Sequence, residues 1–165
     1  MIWPAIAILG FVTLQRLAEL YLAERNSARL LAGGAKEHAA GHYALLVAVH
    51  LAWLAALWWW APGRPVNLPL LLVFAALQVG RIWVIATLGR RWTTRIIVLP
   101  GAPLVRAGPY RYLSHPNYLV VIGEIAVLPL VFGLWEIAVV FTILNLGILA
   151  VRIPQENKAL RGLRG

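Results

Sequence analysis

Residues 68–88 read LPLLLVFAALQVGRIWVIATL, an apolar run interrupted by a single charge, Arg81. Coiled as an α-helix at about 1.5 Å per residue, it reaches roughly 30 Å, the thickness of a bilayer's hydrocarbon core. Such a run is too long and too apolar for a strand. Outward from it, four more runs share the pattern: Ile2 to Ala23, His42 to Ala61, Asn117 to Phe132 and Leu134 to Val151. The chain is 61% hydrophobic and 13% charged, whereas soluble domains hold about 45–50% apolar and about 25% charged residues. Five spans use most of the 165 residues, so no room remains for a separate soluble module. The expected architecture is all-α: one domain over residues 1–165, a polytopic membrane bundle of about five transmembrane helices closing in a C-terminal helical hairpin. The fourth run is short. Either it crosses a thinned region, or the segment Pro100 to Pro116 enters the membrane as irregular backbone, which is tolerated only inside protein or beside a cavity.

Charge between the runs orients them. Arg25, Arg29 and Lys36 follow the first; Arg90, Arg91, Arg95, Arg106 and Arg111 follow the third; Arg152, Lys158, Arg161 and Arg164 close the chain. All twelve fall on one side of a five-span topology, against Arg64 alone on the other. The positive-inside rule puts that side, and the C-terminus, in the cytoplasm and the N-terminus outside. A net charge of +9 in a chain this apolar points to anionic lipid headgroups rather than nucleic acid. Trp58, Trp59 and Trp60 beside Pro62 and Pro65 read as an interfacial aromatic belt at a turn. The first run carries Arg16 and Glu19 and lacks a basic leader, so it reads as a retained span rather than a cleaved signal. With no cysteine, a disulfide framework, a thiolate metal site and a cysteine nucleophile are excluded.

Polar residues gather in two places. Arg106 to Tyr118 holds three tyrosines, two arginines and His115 within thirteen positions. Pro116 fits a helix's first turn, with Ser114 or His115 as its N-cap. Free N–H groups and the positive dipole end there suit a carboxylate or phosphate, although a capped turn with arginines on lipid headgroups explains the pattern as well. Near the C-terminus, Asn145 and Arg152 stand seven apart and Glu156 four further on, one face of a continuous helix. Pro154 is expected to interrupt that helix and turn Glu156 toward the mouth of the bundle. Within the spans lie Arg16, Glu19, Arg81 and Glu124, each costing on the order of 3 kcal/mol or more unless paired or facing a wet cavity. Arg16 with Glu19 is an i, i+3 pair, and Arg81 with Glu124 a cross-helix one. His42 and His50 share a face of the second helix but lack partners for a metal site.

The stretch Gly108-Pro-Tyr-Arg-Tyr-Leu-Ser-His-Pro-Asn-Tyr118 resembles the signature of the isoprenylcysteine carboxyl methyltransferase family, which usually carries Arg-His-Pro, a tyrosine and, after a helical hairpin, an acidic pair. His115, Pro116, Tyr118 and Glu156 match; Ser114 stands where the family has arginine, with Arg106 or Arg111 as substitutes, and Gln155 replaces one acid. Arg16, Glu19, Arg25, Asn26, Glu37, His42, Tyr43 and His50 look like a small bacterial branch that methylates alkylpyrones or phenolic lipids. The resemblance implies S-adenosylmethionine as cofactor, held by Tyr110, His115, Tyr118, Asn145, Arg152 and Glu156. It implies a lipophilic acceptor whose tail arrives from the bilayer, methylated on oxygen, in a bacterial inner membrane. An acidic enol or carboxylate needs little help to attack the methyl group, whereas a phenol needs a base, for which Glu19 or His42 is the candidate. Two other classes stay open: a nicotinamide-dependent membrane reductase, although no dinucleotide fingerprint is present, and a non-enzymatic membrane protein.

Overall fold

Proline and glycine bound the first helix. In the computed structural model, which describes residues 2–38, 41 and 43–161, α1 runs Trp3–Ala32 with Pro4 in its opening turn. Gly33 and Gly34 follow, and Gly34 takes φ +88°, a conformation that costs a side-chain-bearing residue strain. Helix α2 covers Tyr43–Trp60. Helix α3, Leu68–Leu88, starts where the Asn67 side chain accepts a hydrogen bond from the Leu70 N–H at 3.1 Å. Helix α4 is Pro116–Val131, with His115 at its N-cap, and α5 is Trp135–Leu160. Among the described residues the chain is thus nearly all α, with five α-helices of which α1, α2, α3 and α5 are long and apolar enough to cross a membrane. Exposed Leu14, Leu51, Leu72, Val79, Ile82 and Ile143 form surface that a bilayer solvates and water would not.

Along its axis the bundle changes character. Leu9 and Val12 of α1, Trp53 and Leu57 of α2, Phe74 of α3, and Ile125 and Leu128 of α4 form an apolar core toward the α2–α3 and α4–α5 turns. One helical turn further along come the charged residues of the spans, and beyond them the helices surround a cavity. Helix α4 lies between α3 and α5, while α2 packs on α5. At 16 residues α4 covers only about 24 Å. The segment before it stays irregular, packs its Gly108–Arg111 turn on α3 and lines the cavity. That is the setting in which non-helical backbone is tolerated.

Three expectations need correction. Helix α1 does not stop near Ala23 but continues to Ala32, carrying Glu24, Arg25 and Arg29; buried Asn26 anchors this extension, donating to the Gly89 carbonyl at 3.1 Å and the Trp92 carbonyl at 2.9 Å. Helix α5 passes through Pro154 to Leu160 instead of breaking there. A proline removes one N–H from the ladder, and the side-chain ties of Arg152 and Glu156 described below hold the turns on either side. Finally, two segments expected as loops pair as a short antiparallel ribbon, β1 (Lys36–His38) with β2 (Ile96–Val98), Glu37 opposite Ile97. Three-residue strands are too short to leave a period-2 signal.

Candidate active site

A cavity of about 690 Å³ occupies the end of the bundle where α4 begins and α5 finishes. That is within the usual size range of small-molecule sites, about 300–1,000 Å³. On one wall the first turn of α4 meets the last turns of α5. Tyr118 donates its hydroxyl proton to Glu156 Oε2, and Arg152 Nε donates to the same hydroxyl oxygen at 3.0 Å. The other arm of Arg152 donates to the Thr94 carbonyl just before β2. His115 stacks on Tyr118 with ring centroids 5.5 Å apart and planes at 29°. Its Nε2 lies 3.2 Å from Asn157 Oδ1, and its Nδ1 lies 3.9 Å from Glu156 Oε1. Burial pushes the Tyr110 phenol above its ordinary pKa and the Glu156 charge adds to this, so Tyr110 borders the cavity as a neutral hydrogen-bond donor.

Asn145, two helical turns before Arg152, is 0% exposed and lines the same cavity. Neither of its amide atoms has a partner among the described residues. Asn117 Oδ1 and Trp92 Nε1, also on the wall, are unpartnered in the same sense. Leaving a buried polar atom unsatisfied costs about 1–3 kcal/mol. Such atoms collected on one cavity mark where a polar ligand completes the hydrogen bonding.

Another part of the lining carries the charges of the spans as one network. Arg81 donates to both oxygens of Glu19, each at 2.6 Å, and to Glu124 Oε2 at 3.0 Å. Arg16 bridges Glu19 at 2.9 Å and Glu124 at 2.7 Å. Gln15 donates to Glu19 Oε1 at 3.0 Å and Gln78 to Glu124 Oε1 at 2.8 Å. Each oxygen of Glu19 therefore accepts two hydrogen bonds. Arg16, Glu19 and Arg81 border the cavity, and two cations against two anions leave the network neutral.

All six residues expected around a cofactor, Tyr110, His115, Tyr118, Asn145, Arg152 and Glu156, line this one cavity, and Glu19 lines it too. His42 lies outside the described residues. Of the two arginines offered in place of the missing one, Arg106 borders the cavity, whereas Arg111 lies over the Tyr112 ring at 6.0 Å. Sequence reasoning missed the stretch Trp92 to Val98, which forms part of the lining. Within it Thr94 Oγ1 lies 3.0 Å from the Tyr43 hydroxyl, and the Arg95 guanidinium stacks 5.1 Å from the centre of the Tyr43 ring. An arginine and two threonines in a loop read as headgroup contacts; the ribbon pairing turns them inward.

Residues 69–162 match the sequence model of the isoprenylcysteine carboxyl methyltransferase (ICMT) family. The uncharacterized protein YpbQ of Bacillus subtilis is 35% identical over 174 aligned positions, covering 98% of this chain and 97% of its own. An uncharacterized protein of Haemophilus influenzae is 31% identical over 159 positions, covering 90% of each chain. No solved structure matches.

Proposed function

The chain belongs to the isoprenylcysteine carboxyl methyltransferase family, a family of membrane methyltransferases that use S-adenosylmethionine, and we propose that it methylates an oxygen of a lipophilic acceptor. The acceptor class is an alkylpyrone, a phenolic lipid or a prenylcysteine-like carboxylate. One observation carries the reading: a carboxylate, an aromatic pair and an unpartnered buried amide meet on the wall of a cavity whose other wall is apolar and charged in turn. The same cluster argues against a purely structural membrane protein, because a bundle without a ligand gains nothing from orphaned amides.

S-adenosylmethionine, when bound, supplies a methyl group made electrophilic by a sulfonium, together with an ammonium, a carboxylate and an adenine. The lining fits that mixture. Glu156 offers the negative charge for the ammonium, and Arg106, which borders the cavity with no ion pair among the described residues, would meet the carboxylate, taking the part of the arginine missing at Ser114. The stacked His115 and Tyr118 rings offer aromatic surface, Asn145 offers both a donor and an acceptor, and Tyr110 offers a neutral hydroxyl. Arg152 holds Tyr118 and the Thr94 carbonyl in place rather than pairing with ligand. Glu19 is assigned as counter-ion to Arg16 and Arg81, not as base, since both of its oxygens are already committed. The chain's contribution to rate is chiefly positioning of two reactants in line.

The protein is an integral membrane protein, and we place it in a bacterial inner membrane with its N-terminus outside. Eleven of the twelve basic residues on the cavity side fall within the described residues; a cytoplasmic mouth gives the cavity access to the water-soluble cofactor while the acceptor's tail stays in lipid. Calorimetry of the detergent-purified protein should show S-adenosylhomocysteine binding. Labelled methyl transfer should favour alkylpyrones and alkylresorcinols over farnesylated cysteine. Preference for the prenylcysteine would overturn the acceptor while leaving methyl transfer intact, and NADPH binding without S-adenosylhomocysteine binding would overturn both.

A further inference from the structure

His50 belongs to neither of the two hydrogen-bonded polar clusters. It lies on α2 in a stretch of cavity lining that is otherwise greasy: Leu46, Val47, Leu51 and Leu54 from its own helix, with Leu20 from α1. Its Nδ1 is 2.8 Å from the Leu46 carbonyl. A carbonyl oxygen only accepts, so Nδ1 carries the proton, and in the neutral ring Nε2 carries the lone pair. That nitrogen has no hydrogen-bond partner among the described residues. Among the described residues of the lining, the other carboxylates and histidine are engaged: Glu19 between two arginines, Glu156 with Tyr118, and His115 with Asn157. The charged groups that face His50 are Arg16 of α1, Arg81 of α3 and Glu124 of α4, and these satisfy one another.

We infer that His50 is the general base for weakly acidic acceptors, its Nε2 taking the hydroxyl proton of a lipid seated against α2. This rests on the reading of the cavity as a site of methyl transfer to oxygen. As His50 accepts the proton, the acceptor oxygen forms its bond to the methyl carbon. The carbon–sulfur bond breaks with its electron pair left on sulfur, and the imidazolium returns its proton to water once the neutral ether has left. An orienting hydrogen bond from Nδ1–H and a free Nε2 are what such a base requires. Residues 69–162 carry the family match, so α2 and His50 lie outside it.

His50→Gln and His50→Asn test the assignment, with S-adenosylhomocysteine affinity equal to that of the unchanged chain as proof of folding in each. With an alkylphenol, kcat should fall about 10²- to 10⁴-fold, and the acidic limb of its pH–rate profile should disappear. With an alkyl carboxylate of equal tail length, already ionised at the assay pH, the loss should stay below about tenfold. Independently of activity, the absorbance of a bound long-chain alkyl nitrophenol should show the phenol ionising at lower pH in the unchanged chain than in either variant. Equal losses on both acceptors, a persisting acidic limb, or identical probe titrations overturn the proposal. If the unchanged chain neither binds S-adenosylhomocysteine nor methylates any acceptor, the methyl-transfer reading fails instead, and the probe titration still decides whether His50 takes a phenolic proton.

Discussion

Arg81 clasps Glu19 from a position 62 residues away, Nε on one carboxylate oxygen and Nη2 on the other, both at 2.6 Å. A two-point guanidinium–carboxylate pair fixes orientation as well as charge. Here it locks α3 to α1 where the apolar core ends and the cavity begins. Glu124 of α4, shared by Arg81 and Arg16, brings a third helix into the same joint. Removing one member strands a charge. Glu19→Ala or Arg81→Met should therefore cost about 3–5 kcal/mol of stability, read as a lowered midpoint of thermal unfolding in detergent. The double variant Glu19→Met with Arg81→Met should be less damaged than either single one, because Arg16 and Glu124 still neutralise each other. A double variant worse than both singles would mean that the network is more than charge pairing.

Asn145 separates binding from folding. Its amide is buried and has no partner among the described residues, so Asn145→Leu removes a desolvated polar group without opening a cavity. Stability should be unchanged or slightly raised. Affinity for S-adenosylhomocysteine should fall by about 1–3 kcal/mol, or about fivefold to 150-fold. A drop in unfolding midpoint with intact affinity would show that the amide serves the fold.

Tyr118 links the two halves of the cofactor wall, donating to Glu156 and accepting from Arg152. Tyr118→Phe keeps the ring stacked on His115 but frees both partners. Glu156 should then lose its fixed position, and S-adenosylhomocysteine affinity should fall about tenfold, with a smaller effect than Glu156→Ala. An isothermal titration giving the reverse order would misplace the ammonium site.

Topology follows from the charge asymmetry. Reporter fusions within the Arg95 segment and after Arg161 should both report cytoplasm, and a fusion beside Arg64 should report the opposite side. Opposite locations for the first two would break the five-span arrangement.

Acceptor length should matter as well. Each methylene buried contributes about 0.8 kcal/mol, roughly a fourfold gain in affinity, until the apolar lining is filled. Apparent KM across a homologous alkylresorcinol series should fall and then level off. A flat series from the shortest chain onward would remove the lipid tail from recognition.

Much of this protein is determined locally and so is legible in its sequence. Apolar runs such as 68–88 become helices because lipid offers backbone groups no other partner, and Leu68 to Leu88 is where α3 was found. Pairing of Arg16, Glu19, Arg81 and Glu124 was equally foreseeable, since unpaired charges in a span are too costly to keep. Spacing would align Asn145, Arg152 and Glu156 on one face of a continuous helix, and α5 keeps that face because the interruption expected at Pro154 does not occur. What only the tertiary structure decided is which groups have capacity left after pairing. Glu19 is named by sequence as a base, yet four donors from α1 and α3 fill its oxygens. His50 appears in the sequence as half of an unfulfilled metal pair, yet beside the cavity its Nε2 has no partner among the described residues. The lining by Trp92 to Val98 depends on three residue pairs between segments some 60 positions apart. Hydrogen-bond capacity is exhausted by neighbours in space, and no pattern along the chain reports how much of it remains.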